Sequence, residues 1–549
     1  MSSSRPWTLD EARRIPGLHP LLDGPGVGCE LILEPGADAE RAASQARQAV
    51  AQLWPRLGLG EREPNLRAHA GGLSLTVRAP ADRLYAAVDA LEAALGPEPA
   101  DPKALEQALT QEADPRLLAL LSSDLPIFAD DEGFTAGLGR HSRTWPPDAL
   151  PDLSEIQGAR RIPCALVTGT NGKTTTTRLV AEMVRQAGLV PGHTSSDGVV
   201  IDGETLERGD WTGPGATRAV LRDPRVDVGV LETARGGLMR RGLALGGVEV
   251  AAVTNIAEDH FGEWGLFDLD QMAWAKLGVA AGVRPGGALV VHGRDEALAR
   301  ALSELNRPDL RIRRFADGPR APDLDAWTQD GALWVRGPRG PERLVEEVEV
   351  PITLGGAVRF MVENALCASL VALELGLGLD AVRAALRSFQ PAPDSSRGRI
   401  NRFILPNGGR VVLDFAHNAA GVLGLRGLAE AARPGRVSVL LGLAGDRAGR
   451  MADLYADAIA SLQPDLVILK ELPDHRRGQP EGEMRALARA RLLSQGLPED
   501  AILDVPHEVE AAARALDATG PQDLALLLVH EMLDGVLQLL AERGARPTG

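Results

Sequence analysis

Residues 165–177 read Ala-Leu-Val-Thr-Gly-Thr-Asn-Gly-Lys-Thr-Thr-Thr-Thr, and this run constrains the fold more than any other. An apolar segment breaks at Gly169-Thr-Asn-Gly172, and Lys173-Thr174 then opens a segment of helical periodicity. The pattern predicts a strand, a tight glycine turn and a helix N-terminus. In the turn Gly169-Thr170-Asn171-Gly172 the glycines let backbone N–H groups approach phosphate oxygens, and the helix dipole favours an anion there. Lys173 would reach the outer phosphates, and the hydroxyl of Thr174, next to Thr175, would ligate Mg²⁺. Val167 occupies the place of the first glycine in the usual G-x-x-x-x-G-K-[ST] spacing. A ligand-free alternative is a strand–helix turn with an exposed lysine.

With 549 residues the chain is long enough for about three domains, because single cores rarely grow beyond ~250–300 residues. A net charge of −16 argues against nucleic acid as a partner and is accounted for by solubility. Cys29, Cys164 and Cys367 are widely spaced in mostly apolar contexts, which suggests reduced, buried thiols rather than disulfides or zinc ligands. The N-terminus lacks an apolar signal core and no run reaches membrane-spanning length, so a cytoplasmic protein without membrane partners is expected.

The periodicity predicts an α/β protein in three parts. Residues 1–150 read as a small α+β domain with a helical linker. Strands are expected at 27–34 and 73–79, helices at 38–54, 81–95 and near 103–121, and a Pro146-Pro147 boundary follows. Residues 151–395 read as a central parallel α/β domain of P-loop type. Its continuous apolar strands at 164–168, 226–231, 248–255 and 288–292 suit a sheet covered on both faces. Residues 396–549 read as a Rossmann-like α/β domain with strands at 411–415, 437–441, 466–469 and 524–529.

Further polar residues cluster at predicted strand ends, where ligands of open α/β sheets bind. Leu231-Glu232-Thr233-Ala234-Arg235-Gly236-Gly237 places a carboxylate there, and Thr254-Asn255-Ile256-Ala257-Glu258-Asp259-His260 adds Asn, Asp and His. Lys276 follows on the next predicted helix. Each segment alone could be a cap or a solvated turn. Beside a phosphate turn they suggest magnesium ligands around a triphosphate.

Gly169-Thr-Asn-Gly-Lys-Thr174, with these residues, resembles the nucleotide signature of the Mur ligase family. The similarity is greatest to the Mur-like carboxy-terminal half of the cyanophycin synthetases. It continues through Glu232-x-Ala-Arg-Gly-Gly-Leu238, Asn364-Ala365, Gly398-Arg399, Asp414-x-Ala-His-Asn418, Gly445-Asp-Arg447 and Arg477-Gly478.

The resemblance implies an ATP- and Mg²⁺-dependent ligase that activates a carboxylate as an acyl phosphate for attack by an amine. Lys173 would bind the β- and γ-phosphates. Thr174, Glu232 and His260 would hold magnesium, helped by Lys276 as a carbamate. Asn364 would lie near the adenine, and Arg399 and Asp414 would reach the nucleotide from the carboxy-terminal domain. The expected partners are a small-molecule or peptide carboxylate and an amine such as an amino acid, with self-association left open. No ATP-grasp domain fits between residues 100 and 160, and the UDP-binding domain of peptidoglycan Mur ligases is not apparent. Two alternatives are an arginine-adding ligase on cyanophycin-like aspartyl peptides and a non-catalytic ATP-binding assembly partner. The N-terminal part shows no catalytic constellation and is expected to select substrate or support assembly without touching ATP.

Overall fold

A computed structural model describes residues 5–60, 63–97, 115–121, 123, 125–130, 132–259, 261–337, 339–390, 397–445 and 449–548. The expected three α/β parts are present as separate sheets.

The N-terminal sheet has four strands in the order Trp7–Ile15, Gly26–Leu33, Gly72–Arg78, Asn65–His69, all antiparallel. Helices Ala39–Leu53 and Leu84–Leu95 bury Ala42, Ala46, Val50, Ala87 and Leu91 in a core shared with Val27, Leu73 and Leu75. The two outer strands go beyond the expected pair. Trp7–Ile15 is interrupted by a register shift between Asp10 and Arg13, which destroys the simple alternation that marks a strand. Between this unit and the centre, part of the expected helix near 103–121 lies outside the described residues, and Pro115–Leu121 is helical. Ile127–Asp130, Gly133–Ala136 and Arg143–Trp145 form a three-stranded sheet rather than a wholly helical linker. Arg222 anchors it by donating to Asp130 and Glu132, each at 2.6 Å.

The central sheet has eleven strands. Its parallel heart runs Pro191–Ser195, Val228–Glu232, Cys164–Thr168, Val248–Val253, Val283–His292, Arg311–Ala316, Ala326–Gln329. Cys164–Thr168 and Val228–Glu232 are buried at every residue, which is why they read as uninterrupted apolar runs. Antiparallel hairpins extend both edges. On one side lie Gly198–Ile201 and the wholly exposed Glu204–Arg208; on the other lie Ala332–Gly337 and Gly340–Glu346. Helices Lys173–Gln186 and Arg359–Glu374 pack together across one face.

The third sheet has the order Ile502–Asp504, Leu466–Lys470, Val437–Gly442, Leu524–Leu528, Arg410–Asp414, Asn401–Ile404, Arg546–Thr548; its first five strands are parallel, and Asn401–Ile404 pairs antiparallel with both of its neighbours. Among the described residues no helix is long and apolar enough to cross a membrane.

Two buried histidines give the fold an acid-sensitive component. His19 accepts from the Leu21 N–H at Nδ1 (3.1 Å) and lies 3.0 Å from the Met239 carbonyl, tying the N-terminal unit to the central one. Burial lowers its pKa to about 4 and that of His193 to about 3. The unfolded chain therefore binds protons that the native state refuses as pH falls below the ordinary value near 6.5. Stability should decline by about 1.4 kcal/mol per pH unit for each histidine in that window. Melting temperatures from pH 7 to pH 5 check this, and His193→Leu should make the decline shallower. An unchanged slope would remove His193 from the account.

Candidate active site

The strand Cys164–Thr168 delivers the chain into the turn at Gly169 with φ +149°, and Gly172 sits at φ +82° immediately before the helix. No other residue fits either place. A Cβ on Gly169 would stand 1.8 Å from Thr254 Oγ1, and one on Gly172 would stand 2.1 Å from Asn364 Oδ1. The neighbouring strand end braces the turn. Thr170 N–H donates to the Asn255 carbonyl at 2.9 Å and Asn171 N–H to Asn255 Oδ1 at 3.0 Å. Thr254 Oγ1 donates to the Asn171 carbonyl at 2.6 Å.

Two lysines converge on this turn. Lys173 Nζ donates to the carbonyls of Gly169 (3.1 Å) and Thr170 (2.9 Å), and Lys276 Nζ also reaches Gly169 O, at 2.9 Å. Burial lowers both pKa values. Lys276 falls well below its ordinary value, and the charges of Lys173 and Arg235 push it further down. Across the turn, Thr174 Oγ1 donates to Glu232 Oε2 at 2.8 Å and lies 3.2 Å from Ser196 Oγ. Burial raises the Glu232 pKa, against the opposing pull of Lys173.

These groups open into a cavity of about 940 Å³ whose far wall comes from the third sheet. Thr170, Asn171, Gly172, Lys173, Thr174, Thr175, Glu232, Lys276, Arg399 and Asp414 all line it. Arg399 lies over the Phe415 ring, 4.6 Å from its centroid, with Nη2 3.4 Å from Ser196 Oγ. Asp414 accepts from the N–H groups of Ile400 (2.9 Å) and Ala416 (2.7 Å), which fixes the loop carrying Arg399. Burial raises the Asp414 pKa, and Arg399 opposes that rise. Asn171 and Asn418 exchange two amide hydrogen bonds, at 3.1 and 3.3 Å, directly across the cleft.

The remaining expected residues have different placements. Gly169 supplies the carbonyl that both lysines share. Asn364 is buried behind the turn against Gly172, while Phe360, Met361 and Glu363 of the same helix line the cavity. His260 lies outside the described residues, as do Asp446 and Arg447. Among the described residues, none of positions 5–97 lines this cavity.

Residues 167–372 match the Mur ligase middle domain, and residues 398–528 match the Mur ligase glutamate ligase domain. The chain belongs to the Mur ligase family. It is 34% identical to a cyanophycin synthetase of Geminocystis herdmanii over 69% of this chain and 44% of that one. The corresponding figures for the cyanophycin synthetase of Synechocystis are 35%, 71% and 44%. The chain thus spans under half the length of these relatives. A UDP-N-acetylmuramoyl-L-alanyl-D-glutamate–2,6-diaminopimelate ligase of Alkalilimnicola ehrlichii is 26% identical over 69% of this chain and 75% of its own. Among solved structures, E. coli FolC with DHPP and ADP aligns with a TM-score of 0.51 at 20% identity, covering 70% of this chain and 89% of that one. This last likeness concerns the fold.

Several cavity residues of this Mur ligase family member were not singled out for a role from sequence. Arg235 and Asp259 stand inside runs already marked as strand ends, so their position was legible and their function was not. Ser196 follows a strand whose sequence, Pro-Gly-His-Thr-Ser, carries little apolar signal, and Asp210 follows the wholly exposed strand Glu204–Arg208.

Proposed function

We propose that the protein is an ATP- and Mg²⁺-dependent ligase, acting in the cytoplasm, that joins a carboxylate to an amine. One observation carries this reading: Lys173, Thr174 and Glu232 converge at a helix N-terminus and face Arg399 across a single cavity. The donor set suits Mg²⁺, a hard cation that takes few protein ligands and shares the rest with phosphates and water. The Thr174 hydroxyl and the Glu232 carboxylate are hard oxygen donors 2.8 Å apart, and buried cations offset the carboxylate's charge. Among the described residues no group of three or more His, Cys, Asp or Glu side chains forms a closed metal cage. Thr174 and Glu232 would hold Mg²⁺, and Lys276 lines the same cavity. When bound, the ion neutralises phosphate charge.

The chain's own residues then divide the work. Lys173 exchanges its two turn carbonyls for phosphate oxygens, and the N–H groups at the start of its helix face the same anion. Arg399 approaches from the opposite domain and meets charge developing on the transferred phosphoryl group. A carboxylate oxygen attacks the γ-phosphorus and ADP leaves. The neutral amine attacks the acyl carbon, phosphate leaves, and the amine's extra proton passes to solvent. The protein's contribution is positioning and exclusion of water from the acyl phosphate.

ADP release is the test. It should require ATP, a carboxylate and an amine together, in a screen of amino acids and acidic peptides that includes arginine with aspartyl peptides. Glu232→Gln should raise the Mg²⁺ concentration needed for half-maximal rate by roughly tenfold or more, because a charged ligand is replaced by a neutral one. ATP binding without ADP release under any pairing would overturn the ligase reading.

A further inference from the structure

The segment from Gly262 to Phe267 is held in an unfavourable backbone conformation, in part by residues of another domain. Gly262, Trp264 and Gly265 have φ values of +97°, +57° and +69°. For a bulky aromatic such as Trp264 this region is strained, and it persists only where the surroundings over-determine it. Met239, Leu266 and Met272 of its own domain pack against Trp264, and the N-terminal sheet supplies further contacts. The Arg13 guanidinium lies 4.6 Å from the centroid of a Trp264 ring. His69 stacks on Phe267 with centroids 5.7 Å apart, and a Cβ on Gly265 would come within 2.5 Å of the His69 ring. Arg13 and His69 are themselves fixed by one acid. Glu30 accepts from Arg13 Nη2 at 3.0 Å and from Ser74 Oγ at 2.6 Å, and His69 Nε2 stands 3.3 Å from it.

What this grip holds is part of the cavity. Glu263, beside Trp264, lines the cavity and pairs with Arg235, which also lines it. Asp268 caps the helix Leu269–Leu277 by accepting from the Gln271 N–H at 2.7 Å, and that helix carries Lys276 to the phosphate turn. We infer that Arg13 and His69 are positioning residues: through Trp264 and Phe267 the N-terminal domain holds the segment that sets Glu263, Arg235 and Lys276 in the site. This rests on the ligase reading of that site. It gives the N-terminal domain a part in the reaction although none of its described residues lines the cavity.

Two variants separate positioning from general stability. Arg13→Lys keeps a cation beside Glu30 but loses the flat guanidinium on Trp264. Trp264→Gly removes the ring at a backbone position that glycine adopts without strain, and leaves the N-terminal domain intact. Each should lower kcat for ADP release by roughly 10- to 100-fold, the scale of an ångström-sized misplacement, with the ATP Kd within twofold of the parent. Hydrogen–deuterium exchange should quicken over residues 261–268 and stay unchanged in the core strands. Exchange over 261–268 equal to the parent's, or kcat within twofold in both variants, overturns the inference. A parent protein without ADP release would instead overturn the ligase reading, and the exchange measurement would still decide whether the N-terminal domain holds this segment.

Discussion

Lys173→Ala is expected to release ADP at a rate on the order of 10³-fold below the parent, or lower, while melting at nearly the same temperature. Removing one preorganised donor from a developing oxyanion typically costs 10²–10³-fold in kcat, and a lysine ammonium beside phosphate counts for more than a neutral donor. The effect on folding should be small for a separate reason. In the free protein the ammonium is a costly group: burial lowers its pKa, and among the described residues two backbone carbonyls accept from it. Its removal deletes those two bonds together with the desolvation of a cation. Differential scanning fluorimetry beside an ADP-coupled assay makes the comparison, and a folded variant with near-normal ADP release would take Lys173 out of phosphate binding.

Lys276→Ala is expected to lose activity on the order of 10²-fold and to regain part of it in acetate or bicarbonate. Carbamylation joins the neutral amine to CO₂, forms an N–C bond and releases one proton, so it needs a lysine that is deprotonated near neutral pH. Burial moves Lys276 toward that condition first, and the adjoining charges of Lys173 and Arg235 add to it, while Asp259 opposes. A carbamate would replace one cation of a crowded cationic cluster by an anion facing the magnesium side of the cavity. Activity and modification should both fall as pH drops, because the ammonium form cannot react. With ¹³C-labelled bicarbonate the parent should show a carbamate carbon resonance that Lys276→Ala lacks. Without that resonance, and with full activity in the variant, Lys276 would be a purely structural hydrogen-bond donor to Gly169 O.

Parts of this molecule were legible in the chain because burial writes a strong pattern. Cys164–Thr168 was read to the residue, since a strand covered on both faces has no polar interruption and the glycine turn ends it sharply. Asn65–His69 and Trp7–Ile15 are not, because the first is mostly exposed and the second carries a register irregularity, so neither shows a clean period of two. Glu204–Arg208 is exposed at every residue, so its strand character comes only from backbone pairing with Gly198–Ile201. In the site, Lys173, Thr174 and Glu232 could be found because they lie at the end of a buried strand or just past the turn that ends one. The contact of Arg399 with Ser196 and the grip of Arg13 on Trp264 could not, because both depend on how separate domains dock.

The reciprocal amides of Asn171 and Asn418 have a consequence for turnover. Asn418 also accepts from the Gly421 N–H at 2.9 Å, so the residue that touches the phosphate turn also starts a helix of the opposite domain. Any separation of the two domains must break both amide bonds at once. Two neutral hydrogen bonds contribute about 1–3 kcal/mol in net terms, or roughly one to two powers of ten in an equilibrium. That adds to the other contacts between the two domains, such as Arg399 with Ser196 and Arg450 with Glu258, and by itself does not lock the cleft. Asn418→Ala should therefore weaken nucleotide retention while leaving the chemistry itself nearly intact, which would appear as faster ADP dissociation in stopped-flow measurements.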